Sequence, residues 1–211
     1  MSERTVIAAF DFDETLTRHD SVIPFVRRFK GTRQLVVGLV RHTHVVLPAL
    51  LRRDRDALRR IATRVAFTGR SVDQLDAHAA DFGAEIIANG MRADMVDRLD
   101  WHRHAGHTVL IVSASYEQYV RVVGRHLGVH DVLATRLESI DGTLTGRLDG
   151  ANCRGAEKVR RLQQWCQDNR IVISEATVWA YGDSVGDRDL LAIADHPIWV
   201  NEPLASVAPS L

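Results

Sequence analysis

The chain is poor in lysine, cysteine and net charge. Two lysines, Lys30 and Lys158, stand against 25 arginines. Most of the arginines therefore read as ordinary surface charge, and a lysine is marked out by its rarity. The two cysteines, Cys153 and Cys166, have twelve residues between them. That spacing offers neither a disulfide framework nor a zinc pattern, and it suits a reducing compartment. Twenty-seven basic residues cancel 27 acidic ones, which removes the electrostatic case for nucleic acid as the main partner. Aromatic residues make up 6% of the chain and form no stacking platform. Long hydrophobic runs are missing too. The N-terminus lacks the apolar segment of a signal peptide. The most apolar later stretch, 35–51, is interrupted by Arg41, His42, Thr43 and His44, and is too short and too polar to span a bilayer. A soluble cytoplasmic protein is expected.

What is present is an ordinary globular balance, with 45% hydrophobic and 26% charged residues over 211 positions. A chain of this length can bury roughly 70% of its unfolded surface without a disulfide or metal staple. It has room for one large domain, or for one domain carrying an insert. Residues 5–10 form a short apolar run that ends abruptly in Asp11-Phe12-Asp13, a buried strand opening onto a polar loop. Helical patterns follow at 22–30, 32–51, 55–67 and 72–87, punctuated by Gly31, Gly69, Ser71 and Gly90. Strands and helices then alternate. Strands are predicted at 107–112, 132–135, 177–181 and 198–200, and helices at 93–105, 117–127, 156–169 and 188–194. A hairpin is predicted at 137–148 around Asp141-Gly142. The alternation implies an α/β, Rossmann-like, doubly wound parallel sheet. The helical block then reads as an inserted α-helical subdomain at 17–90, with the core at 1–16 and 91–211. The tail after Asn201 is weakly patterned.

In open parallel sheets, ligands bind beyond the carboxyl ends of the strands. The first strand ends in Asp11-Phe12-Asp13-Glu14-Thr15, the second in Ser113-Ala114-Ser115, and that at 177–181 in Gly182-Asp183-Ser184-Val185-Gly186-Asp187. Lys158 stands near the start of the helix after Cys153. Carboxylates, a hydroxyl and an ammonium directed at one crevice suit phosphoryl transfer. An anionic phosphate repels several aspartates unless a divalent cation neutralises them, and magnesium favours carboxylate oxygens and phosphate. One carboxylate can then attack phosphorus. A second, two residues away, can protonate the leaving oxygen and later activate water. The lysine and hydroxyl can hold the phosphoryl oxygens.

DFDETLT, the serine closing the second strand, the later lysine and GDSVGD resemble the four motifs of the haloacid dehalogenase superfamily of phosphatases. NCRGAEKVRRL and AYGDSVGDRDLL resemble its phosphoserine phosphatase-like subfamily. The helical insert is similar to that subfamily's cap. The resemblance implies Asp11 as nucleophile and Asp13 as general acid/base, with Ser113 and Lys158 holding phosphate. It implies a Mg2+ site at Asp11, Asp183 and the main chain of Asp13, with Asp187 supporting the lysine and the metal waters. It also points to Thr15, Asp20, Arg64 and Ala114 around the substrate. Asp20 falls where such enzymes meet an amino group, and Arg64 where they meet a carboxylate. A small phosphate ester, with phosphoserine as the simplest instance, is the expected substrate.

Several choices stay open. Ser115 is an alternative to Ser113, and Arg154, about one turn earlier, an alternative to Lys158. Lys158 is favoured, since a guanidinium does not replace a compact ammonium at a phosphate. Ala114 stands where phosphoserine-specific members usually have glycine, and Gly186 where they have asparagine, which puts that substrate in doubt. Helix 35–51, with His42 and His44, is read as packed on its neighbours. A competing reading makes it a lipid-facing surface of a phosphatase for lysophospholipid or glycerol-phosphate substrates. A signalling receiver or a non-catalytic phosphate-binding protein would share the acidic strand ends.

Overall fold

The computed structural model describes residues 4–200; the weakly patterned tail after Asn201 lies outside them. Strand β1 (Val6–Phe10) is followed by helices α1 (Val22–Lys30), α2 (Thr32–Arg41), α3 (Thr43–Leu51), α4 (Arg55–Phe67) and α5 (Val72–Glu85). After a π-helical turn (Ile86–Gly90) come α6 (Ala93–His104), β2 (Thr108–Tyr116), α7 (Glu117–Leu127), β3 (Asp131–Ile140) and β4 (Thr143–Asp149). The chain closes with α8 (Ala156–Asp168), β5 (Thr177–Gly182), α9 (Arg188–Ala192) and β6 (His196–Trp199).

The six strands form one sheet in the order β4-β3-β2-β1-β5-β6. All neighbours are parallel except β3 and β4. From β1 the chain winds outward through β2 and β3 on one side, and later through β5 and β6 on the other. The carboxyl end of β1 is therefore the topological switch point, where α/β sheets open a crevice. Burial follows the period-two alternation of strands. Ile7 and Ala9 of β1, Leu110 and Val112 of β2, and Val178 and Ala180 of β5 share one core cluster. Ala8, Phe10, Val109, Ile111, Trp179 and Tyr181 enter the other. Phe10 stacks on Tyr181 with centroids 4.2 Å apart. Both faces are thus covered, as a parallel sheet requires.

Helices α1–α5 form a layer of their own on the second cluster. Phe25 of α1 and Phe67 of α4 meet Tyr116 at the end of β2, and Phe82 of α5 meets Tyr119 of α7. Truncating Phe25 to alanine here costs about 3–5 kcal/mol. The chain leaves and re-enters the sheet region side by side, with Thr17 bridged to Met91. Backbone bonds from Gly69 and Val72 to Leu144 and Gly142 tie the layer to the β3–β4 hairpin.

Three expectations change. The helix expected at 32–51 is two helices, α2 and α3, bent by 89° at His42. His42 stops α2 in a non-helical conformation, and its Nδ1 contacts the Gly38 carbonyl at 2.8 Å. Nor are these helices packed like their neighbours, since α2 buries only Leu35 and α3 only Ala49. The short strand and the hairpin expected between 132 and 148 are a long β3 that continues into the hairpin, its turn at Asp141 and Gly142 with φ of 47° and 75°. Among the described residues no single helix is long and apolar enough to cross a membrane.

Candidate active site

A cavity of about 220 Å³ opens at the carboxyl ends of β1, β2 and β5. Its wall carries Asp11, Asp13, Asp20, Ser113, Ala114, Lys158, Asp183 and Asp187 of the residues singled out above. Thr15 and Arg64 lie outside it. The peptide after β1 leaves the strand at Asp11, whose N–H still donates to the Tyr181 carbonyl at 2.9 Å. It then turns sharply, with Glu14 at φ 56° and the N–H groups of Leu16 and Thr17 both donating to the Phe12 carbonyl. The turn sends Asp11 and Asp13 into the cavity and buries Phe12 on the opposite side.

Lys158, on the first turn of α8, is 1% exposed, and its Nζ donates to Asp11 Oδ1 at 2.6 Å and Asp187 Oδ1 at 2.5 Å. Burial works against its charge, but the two carboxylates outweigh it and hold the pKa above the usual lysine value. Arg154 stands at the cavity wall and is not the residue that reaches Asp11. Asp187 is fixed by a capping box: its Oδ2 accepts from the Ser184 N–H at 3.0 Å and from the Ser184 hydroxyl at 2.9 Å. Gly182 makes room for it, since a Cβ there would lie 2.5 Å from Asp187 Cβ.

Thr15 acts behind this wall. It is buried, and its hydroxyl donates to Asp183 Oδ1 at 3.2 Å. Asp11, Asp183 and Asp187 offer carboxylate oxygens within 4.8 Å of one another. Burial raises the Asp183 pKa to about 7, with Asp11 and Asp187 adding repulsion. Burial raises Asp11 as well, against the pull of Lys158. Lys158 meets two of these three carboxylates, Asp11 and Asp187. A hard divalent cation on Asp11 and Asp183 suits such a donor set, whereas Asp187 already spends both oxygens on Lys158 and Ser184.

Asp13 has a separate environment. Its Oδ1 accepts from the Ser21 N–H at 2.9 Å and from the Ser21 hydroxyl, and its Oδ2 accepts from the Ser115 hydroxyl at 2.5 Å. Ser21 in turn meets Tyr119 OH at 2.8 Å. Burial, reinforced by Asp20, lifts the Asp13 pKa to about 7 against these bonds. Two carboxylates two residues apart are thereby differentiated: one clamped by an ammonium, the other by neutral hydroxyls. The two serines of β2 divide in the same way. Ser113 lines the cavity while Ser115 turns to Asp13. Asp20 lines the cavity and also accepts from the Val22 and Ile23 N–H groups at the start of α1.

Residues not singled out in the sequence complete the wall. Arg55 and Arg59, one helical turn apart on α4, face the cavity together with Asn152. Five residues on from Arg59 the helix has rotated by roughly 140°, and Arg64 is exposed there, lining two neighbouring cavities instead. Arg59 lies over the Tyr116 ring at 5.2 Å, and its Nη1 is buried without a hydrogen-bond partner. A buried unpaired guanidinium N–H is costly unless a ligand completes it. Asn152 joins the two layers, donating to Asp56 of α4 at 2.6 Å and accepting from Thr135 of β3 at 3.0 Å.

Comparisons with known proteins give the chain a family and a shared fold. The haloacid dehalogenase-like hydrolase family profile matches residues 8–192. The chain is 36% identical over 198 residues to protein CicA of Caulobacter vibrioides, covering 93% of this chain and 86% of that protein. It is 30% identical to phosphoserine phosphatase SerB1 of Mycobacterium tuberculosis, covering 93% of this chain and 65% of SerB1. A solved structure of substrate-bound phosphoserine phosphatase shares the fold, with a TM-score of 0.61 at 18% identity, over 92% of this chain and 84% of that one.

Proposed function

The chain belongs to the haloacid dehalogenase-like hydrolases, and from that premise we propose that it is a magnesium-dependent phosphomonoesterase that turns over through an aspartyl-phosphate on Asp11. The observation that carries this reading is the pair Asp11 and Asp13 in one small cavity. Asp11 is gripped by Lys158 at 2.6 Å, and Asp13 is lifted to about 7. In the first half-reaction an Asp11 oxygen bonds to phosphorus and the ester P–O bond breaks. Asp13 gives its proton to the leaving oxygen. In the second half-reaction Asp13 takes a proton from water, whose oxygen bonds to phosphorus. The bond to Asp11 then breaks and inorganic phosphate is released. Lys158 and Ser113 hold phosphoryl oxygens, where charge is greatest. Bound Mg2+ would neutralise substrate phosphate against Asp11 and Asp183, with the Asp13 main chain completing the protein ligands.

We read α1–α5, between Thr17 and Met91, as a cap over this core. It supplies Arg55 and Arg59 and restricts the cavity to a compact head. An amino-acid phosphate such as phosphoserine, the substrate in SerB1's name, would place its ammonium at Asp20 and its carboxylate at Arg59. A glycerol-phosphate head group also fits a cavity of about 220 Å³. The two buried free thiols support a reducing, cytoplasmic setting. The test is phosphate release from a panel of phosphoserine, phosphothreonine, glycerol phosphate, lysophosphatidate and a chromogenic ester. Release should need Mg2+, stop in EDTA and vanish in Asp11→Asn. Equal inactivity of wild type and Asp11→Asn on every ester would sink the hydrolase reading.

A further inference from the structure

The cap carries a surface that the catalytic chemistry does not use. Along α2 and α3 most apolar side chains point outward: Val40 is 66% exposed, Leu50 53% and Leu51 78%, with Val36 and Leu47 exposed beside them. A helix as apolar as α3 (THVVLPALL) is ordinarily buried by its own protein or by something else, and here only Ala49 is buried. The charge around it is one-sided. The stretch 21–53 holds six arginines, one lysine and no aspartate or glutamate, within a chain whose formal net charge is zero. All six arginines are exposed, and Arg28 meets Glu85 of α5.

The elbow is continuous with the site. Leu51 leads through Arg52, Arg53 and the N-cap Asp54 into α4, whose Arg55 and Arg59 line the catalytic cavity. A second cavity of about 630 Å³ shares Asn152 and Arg154 with the first and runs to His42 and Val45, with Ile61 and Leu148 in its walls. The two cavities thus adjoin at Asn152 and Arg154, and the second lies between the first and the exposed helices' His42 and Val45.

We propose that the α2–α3 elbow docks this protein on an anionic lipid bilayer, and that a phosphate monoester of that bilayer is the substrate delivered to Asp11. Exposed leucines and valines supply the inserting face, and the surrounding arginines supply attraction to anionic head groups. A second copy of the chain is the poorer occupant, because a two-fold contact would set the same arginine-rich stretch, free of acidic residues, against itself. The docking half stands apart from the phosphatase reading; the substrate half rests on it and narrows it.

The experiment is co-sedimentation of the full chain with phosphatidylcholine vesicles, with or without phosphatidylglycerol. In parallel, hydrolysis of lysophosphatidate in those vesicles is compared with that of free phosphoserine and a soluble chromogenic ester. Wild type should sediment only with the anionic vesicles. The triple variant Leu47→Ser/Leu50→Ser/Leu51→Ser should lose partitioning by roughly tenfold or more. Each of Arg52→Gln and Arg53→Gln should lose roughly fivefold. The triple variant should also slow lysophosphatidate hydrolysis while leaving the chromogenic ester unchanged, which shows that it folds. Wild type remaining in the supernatant with anionic vesicles would overturn docking, as would a dimer in solution that the triple variant dissolves. Sedimentation together with a preference for free phosphoserine would overturn the substrate half. If even the chromogenic ester resisted wild type, the hydrolase reading would fail while the sedimentation arm still decided docking.

Discussion

Lys158 Nζ lies between two carboxylates, 2.6 Å from Asp11 and 2.5 Å from Asp187, with all three side chains nearly removed from solvent. Each partner alone would be an expensive buried charge. Together they fix the orientation of Asp11. Replacing Lys158 by methionine leaves two buried carboxylates facing each other and should destabilise the fold by about 3–5 kcal/mol. Lys158→Arg keeps the charge but replaces a point donor with a wide fork. It should retain most of the stability, read by urea unfolding, while kcat falls by about 10²-fold or more.

The acidic cluster predicts a stability response to metal. With Asp183 raised to about 7 by burial and by its neighbours, a divalent cation that binds the folded chain alone should stabilise it. At a hundred times its Kd the gain is about 2.7 kcal/mol. Mg2+ should raise the Tm of wild type, and Asp183→Asn should abolish the increment while leaving the Tm without metal equal or higher. An equal Mg2+ increment in the variant would remove Asp183 from the ligand set.

Arg59 and Arg64 should separate cleanly. Arg59 faces the catalytic cavity with an unpartnered Nη1, and Arg64 is exposed beyond it. Arg59→Ala should lower kcat/KM for an ester carrying a second anionic group by about tenfold to a hundredfold, with a smaller effect on an ester lacking one. Arg64→Ala should stay within about twofold on both.

His102 gives the fold an acid-sensitive element outside the lining of the Asp11 cavity. It is fully buried between Tyr181 OH and His107 Nδ1, each at 2.8 Å, and burial lowers its pKa to about 3. The folded chain keeps it neutral, while the unfolded chain binds its proton near 6.5. Its contribution is therefore complete above about pH 6.5 and is lost as pH falls toward 3. At pH 5 the loss is about 2 kcal/mol. Asp13 and Asp183, raised to about 7, act in the opposite sense, since the folded state binds their protons more tightly. The isolating measurement is the difference between wild type and His102→Gln in urea unfolding free energy. It should shrink by about 2 kcal/mol between about pH 7 and pH 5. A difference independent of pH would contradict this account.

Much of the fold was legible because its signals are local. The abrupt end of VIAAF in Asp11-Phe12-Asp13, the run TVLIV and the turn at Asp141-Gly142 each announce an element through composition alone. Motif order then placed Asp11, Asp13, Ser113, Lys158, Asp183 and Asp187, and the structure gathers all six around one cavity. What escaped depends on tertiary contact. Ser21 and Ser115 are ordinary polar residues until folding sets both on Asp13. Arg55 and Arg59 are two among 25 arginines, and only the helical phase of α4 distinguishes them from Arg64. The break at His42 has no proline or glycine to mark it, so the pattern of 32–51 reads as one packed helix instead of an exposed elbow.

The most direct measurement of the central claim is an acid quench during steady turnover on whichever ester in the panel is fastest, followed by peptide mass spectrometry. A phosphoryl group should be found on the peptide containing Asp11, dependent on Mg2+ and absent in Asp11→Asn. Rapid phosphate release by wild type with no phosphoryl group on any peptide, or with the group on another residue, would contradict a covalent intermediate at Asp11.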